Sequence, residues 1–209
     1  MANITKITEN YIKNHPSIKQ SIKNNIINYS KLARKISKEK NIKSIDAILI
    51  ACRRYNDKLK KTIHQLPLIE LLKKSKLSIR NKIVVVILEP DISFKSILDI
   101  QKEVDEKNEI VRVIRGANGT TLITTEDFLD KIEKTFKQSI LKTSKDLVEV
   151  MLKSSSRLES VPGVTGYIYS LFGEHDINIL ETISCWTDTI LIIKNEDLPK
   201  AMDLLSFNF

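Results

Sequence analysis

The hydrophobic positions of this chain follow two rhythms. As far as residue 66 they recur every three or four places, the period of a helix with one apolar face. Ile4, Ile7 and Tyr11 predict a first helix that stops near Pro16, and Ile18, Ile22 and Ile26 predict a second beyond it. Ser30 is placed to cap a third helix carrying Leu32, Ala33 and Ile36, and Ser44 to cap a fourth carrying Ile45, Ile48, Leu49, Cys52, Leu59 and Ile63. The expected product is a small helical bundle.

From Ile79 the rhythm changes to β-type runs separated by helical ones, and it does so twice. The first set predicts a strand over 82–88, a helix over 93–107 with Phe94, Ile97, Leu98 and Val104 inward, and strands over 110–115 and 120–124. A helix then starts near 126, with Thr125 as its cap and Phe128, Ile132, Phe136 and Ile140 on one face. Asn118-Gly119 between two strands predicts a tight primed turn, because both residues tolerate positive φ. The second set predicts a strand over 147–152, a helix over 163–174, strands over 177–184 and 189–193, and a helix capped by Asn195. Ile83-Val84-Val85-Val86-Ile87 aligns with Leu147-Val148-Glu149-Val150-Met151 at an offset of 64, and Glu126-Asp127 with Glu196-Asp197 at an offset of 70. The six extra residues fall in the loop around Ser154-Ser155-Ser156, where an insertion costs little.

The fold class expected is therefore α+β. An all-helical segment over 1–66 and a linker over 67–78 precede two βαββα units with antiparallel sheets, over 79–145 and 146–209. With no strand after the last helix, the units must complete one another, or a second chain must complete them.

Charge divides the chain in the same way. Residues 1–80 hold 19 Lys and Arg against 5 Asp and Glu, a balance of +14, whereas residues 81–209 hold 15 against 21, a balance of −6. A lysine-rich composition explains 27 Lys beside 7 Arg, but not the scarcity of acids in the first part. A basic module for an anionic partner is expected. Leu32-Ala33, followed by a basic second helix with Arg53-Arg54-Tyr55, is similar to a helix-turn-helix unit. That makes duplex DNA a candidate partner and Lys31, Arg34, Lys35, Arg53 and Arg54 its candidate contacts. Against this, the connection over 37–43 is longer than the usual tight turn and Asp46 lies where phosphates would come; a bundle that docks on a protein would show the same stripe.

Several classes are disfavoured. The longest apolar run, 83–88, is far short of the roughly 20 residues a membrane helix needs, and Met1-Ala2-Asn3-Ile4-Thr5 offers no signal-peptide core, so no membrane partner and a cytoplasmic protein are expected. Cys52 and Cys185 lack metal-ligand spacing and are expected as reduced thiols in or near a core. His15, His64 and His175 are scattered, with no Ser, Cys or paired carboxylate spaced for a triad or a metal. No cofactor, no metal and no catalytic site are expected.

Three segments carry a resemblance. Ser160-Val161-Pro162-Gly163-Val164 leading into an apolar helix, His175-Asp176-Ile177-Asn178-Ile179-Leu180 opening a strand, and Asp197-Leu198-Pro199-Lys200-Ala201-Met202 in the last helix resemble the second ACT domain of aspartokinases, over residues 146–206. The resemblance implies ferredoxin-like units, an amino acid bound at a unit or subunit interface, and side-by-side dimerisation. The first unit resembles the family only in element order, with Glu89-Pro90-Asp91-Ile92-Ser93 where the Pro-Gly-Val turn should be. Residues 1–80 are too few and too helical for a kinase domain and contain no glycine-rich phosphate loop, so the catalytic function does not carry over.

The residues of the turn point the same way on their own chemistry. Pro162 and Gly163 at a helix start let backbone approach a ligand, and the unpaired amides of the first turn suit a carboxylate. Asn178, expected beside that mouth, can both donate and accept. The candidate ligand-binding residues are Val161, Pro162, Gly163, Val164, Thr165, Asn178 and Ile179, for a free amino acid or similar small molecule; the plain alternative is a helix start and a polar turn residue. Trp186 and Tyr167 are expected to pack rather than bind. Three readings stand: a ligand-responsive regulator on DNA, an accessory subunit docking on a metabolic enzyme through its helices, and an enzyme, which the sequence argues against. A homodimer is expected.

Overall fold

A computed structural model describes residues 3–60 and 66–207, and the chain divides into two compact units, Met1–Leu66 and Pro67–Phe209. The first unit is helical: α1 (Ile4–Lys13), α2 (Pro16–Lys23), α3 (Tyr29–Lys40) and α4 (Ile45–Lys60). Pro16 opens α2 at the position where its missing N–H costs nothing. The cap of α3 is Asn28, whose Oδ1 accepts the amide of Lys31 at 3.0 Å, so Ser30 lies inside the helix instead of capping it. Ile48, Cys52 and Tyr55 of α4 form one core with Tyr11, Ile12, Ile22, Leu32, Ala33 and Ile36. Burial there pushes the Tyr11 hydroxyl, which donates to Glu39, up to about 12, and the Cys52 thiol up to about 11. Ile63 lies outside the described residues.

The second unit begins earlier than the sequence pattern indicates. Residues 67–78 are not a linker: α5 (Leu66–Lys73) and the start of β1 (Lys76–Leu88) occupy them. The physical reason is core formation, since Leu68, Leu71 and Leu72 are buried among Val148, Val150, Ile168 and Phe172. Then follow α6 (Phe94–Glu106), β2 (Val111–Arg115), β3 (Thr120–Thr125), α7 (Leu129–Phe136), β4 (Ile140–Lys153), α8 (Val164–Gly173), β5 (Glu181–Cys185), β6 (Asp188–Lys194) and α9 (Leu198–Leu205). The helical spacing that ran to Ile140 breaks at Phe136, and Ile140 opens β4. The Asn118-Gly119 turn has no positive φ. Gly119 is needed for another reason: a Cβ on it would stand 3.0 Å from the Leu88 carbonyl oxygen.

All six strands join one antiparallel sheet, in the order β2-β3-β1-β4-β6-β5. The long strands β1 and β4 break at Lys82 (φ 53°) and Asp146 (φ 56°), where their register shifts, and the register shifts again between Ile87 and Leu88. Lys82 and Asp146 are 64 positions apart, the offset that relates the two repeats. Beyond each break the strand serves a different repeat. Residues 83–88 of β1 pair with β3 and with the first half of β4, whereas 76–80 of β1 pair with the second half of β4, which also pairs with β6. Each repeat thus receives its fourth strand from the other, and the units complete one another within one chain.

Alternation assigns the faces. Val84, Val86 and Leu88 meet α6 and α7, and Val148, Val150 and Leu152 meet α5, α8 and α9. The opposite faces gather in a single cluster: Ile83, Val85 and Ile123 of the first repeat with Leu147, Ile190 and Ile192 of the second. One contact explains how. Arg112 of β2 donates from Nε to Glu149 of β4 at 2.9 Å, although β3 and β1 lie between those strands, about 14 Å in a flat sheet. The sheet therefore folds over at the two breaks, helix-free faces inward, and the buried Glu149 carboxylate also receives Arg80 at 3.3 Å.

Candidate ligand site at the mouth of α8

The loop over 154–163 is fixed before it reaches α8. The Ser154 amide donates to the Thr187 carbonyl at 2.8 Å, and its hydroxyl lies 2.7 Å from that of Ser75. A 3-10 turn, Ser156–Ser160, follows, closed by Ser160 Oγ on the Arg157 carbonyl at 3.0 Å. Gly163 then caps α8 at φ 92°, a conformation that an L side chain rarely adopts. The first helical hydrogen bond, Tyr167 amide to Gly163 carbonyl at 2.8 Å, leaves the amides of Val164, Thr165 and Gly166 without a partner in the helix.

A cavity of about 170 Å³ opens at this helix start. Gly163, Val164, Thr165 and Gly166 form one side, the loop contributes Leu158, Glu159 and Val161, and the β5–β6 hairpin contributes Ser184, Trp186 and Thr189. Trp186 is 67% exposed and held at φ 49°, so within this chain it is not packed on its own sheet. A bulky residue at positive φ is strained, and such residues concentrate at functional surfaces. Glu159 and Trp186 were the residues least legible beforehand; only their neighbourhood to the Pro-Gly turn and to the hairpin would have pointed to them.

Of the expected ligand residues, Val161, Gly163, Val164 and Thr165 line this cavity, and Pro162 stands exposed beside it. Asn178 and Ile179 do not. The Ile177 amide donates to the Phe172 carbonyl at 3.0 Å, which places this segment at the far end of α8, about 15 Å from Gly163 by the helix rise. Ile179 lines a separate groove of about 330 Å³ with Tyr169 and Glu181, where burial raises the Glu181 carboxyl above the usual range. The expected strand over 177–184 begins only at Glu181, which carries Asn178 off the sheet.

The equivalent helix start in the first repeat is built differently. Ser93 precedes α6 at φ −62°, with no left-handed glycine. The Arg115 guanidinium lies 5.7 Å from the Phe94 ring and donates to the Ile92 carbonyl at 3.3 Å, so a side chain of the repeat itself stands beside the helix start.

The other candidates fall as follows. Lys31, Arg34 and Lys35 are exposed on α3, and Arg53 and Arg54 on α4. His15 and His175 bond the Tyr11 and Leu171 carbonyls, and His64 lies outside the described residues. Cys52 is buried, but Cys185 is exposed, outside any core. Among the described residues no three His, Cys, Asp or Glu side chains gather as a metal would need, and no helix is long and apolar enough to cross a membrane.

No protein-family model and no curated protein matches the sequence. Solved structures do match. A chain in the crystal structure of aspartokinase α and β subunits has a TM-score of 0.51 at 16% identity, over 64% of this chain and 97% of its own. The ligand-free regulatory subunit of aspartate kinase from Thermus thermophilus gives 0.51 at 15% identity, over 65% and 97%. The fold is that of aspartokinase regulatory subunits. Aspartate kinase from Clostridium acetobutylicum, an allosteric enzyme, gives 0.52 at 16% identity over 63% of this chain and 34% of its own, so about a third of that enzyme has a counterpart here. The two repeats are accordingly ACT-like, preceded in this chain by the helical segment. Identity this low fixes the fold and leaves the ligand to be argued from the site.

Proposed function

We propose that this chain is a non-catalytic regulatory protein of the cytoplasm that senses a free amino acid at the mouth of α8 and controls a DNA-bound helical unit. The cavity at Gly163 carries the reading. Its volume suits one small zwitterion; the amides of Val164, Thr165 and Gly166 supply the donors a carboxylate needs, and Glu159 supplies an acceptor for an ammonium. Trp186 offers an aromatic wall. The ACT-like fold, shared with a regulatory subunit and an allosteric kinase, supports sensing.

Calorimetric titration of the full chain with the twenty amino acids tests it. One or a few are expected to bind and to raise the melting temperature. Glu159→Gln should weaken that ligand by about 1.5–3 kcal/mol, the range for a hydrogen bond to a charged group. Gly163→Val, which puts a branched side chain at φ 92°, should abolish binding. No heat and no thermal shift with any amino acid would end the sensing proposal, and unchanged affinity in both variants would place the ligand elsewhere.

The assembly proposed is a homodimer through the sheet unit, because β2 and β5 are each paired on one side only. Light scattering on the full chain at micromolar concentration should give twice the 23.9 kDa chain mass; a monomer would refute it. Docking on a metabolic enzyme is the second reading, favoured by Ile26 and Ile50, which are 75% and 50% exposed on the helical unit. Binding to an enzyme that survives high salt would select it over DNA.

A further inference from the structure

The helical unit divides its candidate cations between two helices of opposite electrical character. On α3 the buried side is Leu32, Ala33 and Ile36, and the exposed side is Ser30, Lys31, Arg34, Lys35 and Lys38. Lys31, Arg34 and Lys38 stand at i, i+3 and i+7, one row along the outward face. None of these three has an acidic partner among the described residues, while Lys35 lies at the flank, 3.9 Å from Glu39. The exposed side of α4 reads differently: Lys58 pairs with Glu9 of α1, and Asp46, Arg53, Arg54 and Asp57 leave two acids against two bases around the half-exposed Ile50. Its charges cancel, and a phosphate backbone gains little from it.

The surrounding sequence reinforces the contrast. Residues 10–38 contain seven Lys and Arg and no Asp or Glu. Lys31 sits in the first turn of α3, where the helix dipole disfavours a cation and no acid offsets it. A cation in that position keeps its charge open to an anion outside the chain. The exposed Ser30 hydroxyl and the amides of Tyr29 and Ser30, which Asn28 does not cap, add phosphate donors beside it.

The geometry points to α3, not α4, as the helix that lies against duplex DNA, with Lys31, Arg34 and Lys38 on its phosphates; this rests on the DNA reading above. A helix with one row of cations fits the major groove of B-form DNA, whereas the deep, narrow groove of duplex RNA does not admit it. Single strands are disfavoured because Tyr11 and Tyr55 are buried in this unit and Tyr29 packs against the same core with its hydroxyl buried, which leaves no open stacking platform among these tyrosines.

Fluorescence anisotropy of a labelled duplex with the full chain, from about 50 to about 200 mM salt, separates the outcomes. The triple variant Lys31→Gln, Arg34→Gln, Lys38→Gln should reduce the log–log salt slope by about 2.7 and weaken binding at least roughly tenfold, at about 0.9 per lost phosphate contact. Arg34→Gln alone should reduce the slope by about 0.9, and Arg53→Gln with Arg54→Gln should leave it unchanged. Circular dichroism melts matching wild type confirm the fold. If the α4 variant instead loses the slope and the α3 variant keeps it, the assignment to α3 falls while the DNA reading stands. If wild type does not bind duplex even at low salt, the DNA reading falls and takes the assignment with it. Tighter binding to single-stranded or duplex RNA than to DNA would overturn the occupant.

Discussion

Replacing Arg112 by alanine is expected to lower the stability of the sheet unit by about 2–3 kcal/mol, because it strands a buried carboxylate. Glu149 is 2% exposed at its side chain, and Arg112 holds it with two bonds, Nε at 2.9 Å and a terminal nitrogen at 3.2 Å. Arg80 remains at 3.3 Å but is 40% exposed and makes a single contact, so it compensates only in part. Glu149→Leu combined with Arg112→Leu should recover most of the loss, since an apolar pair in an apolar cluster needs no partner. Urea unfolding of wild type and the two variants measures this. A cost below about 0.5 kcal/mol for Arg112→Ala would mean that β2 does not meet β4, and the folded-over sheet would be wrong.

Leu72→Ala should cost about 3 kcal/mol, the penalty for removing a fully buried leucine and leaving a cavity. Leu72 is 1% exposed and packs in the core that contains Phe172 and Phe207. Ile79, further along in β1 and 43% exposed, serves as the control; Ile79→Ala should cost no more than about 0.5 kcal/mol. Thermal unfolding distinguishes the two. If Leu72→Ala melts with wild type, residues 67–78 behave as a linker after all and α5 is not part of the core.

Neither site is marked by local pattern. Arg112 and Glu149 are 37 positions apart, on strands that are not neighbours, and a charged residue amid a valine run reads as solvent-facing until the sheet is seen to fold over. Leu72 lies in Leu66-Pro67-Leu68-Ile69-Glu70-Leu71-Leu72, which is apolar on too many positions to show a face, so periodicity alone could not assign it. A strand from 177 would set Asn178 beside Gly163; the chain instead turns after Phe172, the strand begins at Glu181, and Asn178 stands exposed at the opposite end of α8.

What the sequence determined by itself was whatever depends on local pattern. The helical period to residue 66, the doubled β-type runs with their offset of 64, and the Pro162-Gly163 helix start each follow from residues within a turn or a strand of one another. What only the tertiary structure decided depends on pairing at long range. The breaks at Lys82 and Asp146 and the exchange of fourth strands arise because β1 and β4 are each long enough to serve both repeats. No local propensity records that a strand is shared, since its hydrogen-bonding edges and its two faces acquire partners only when distant segments arrive.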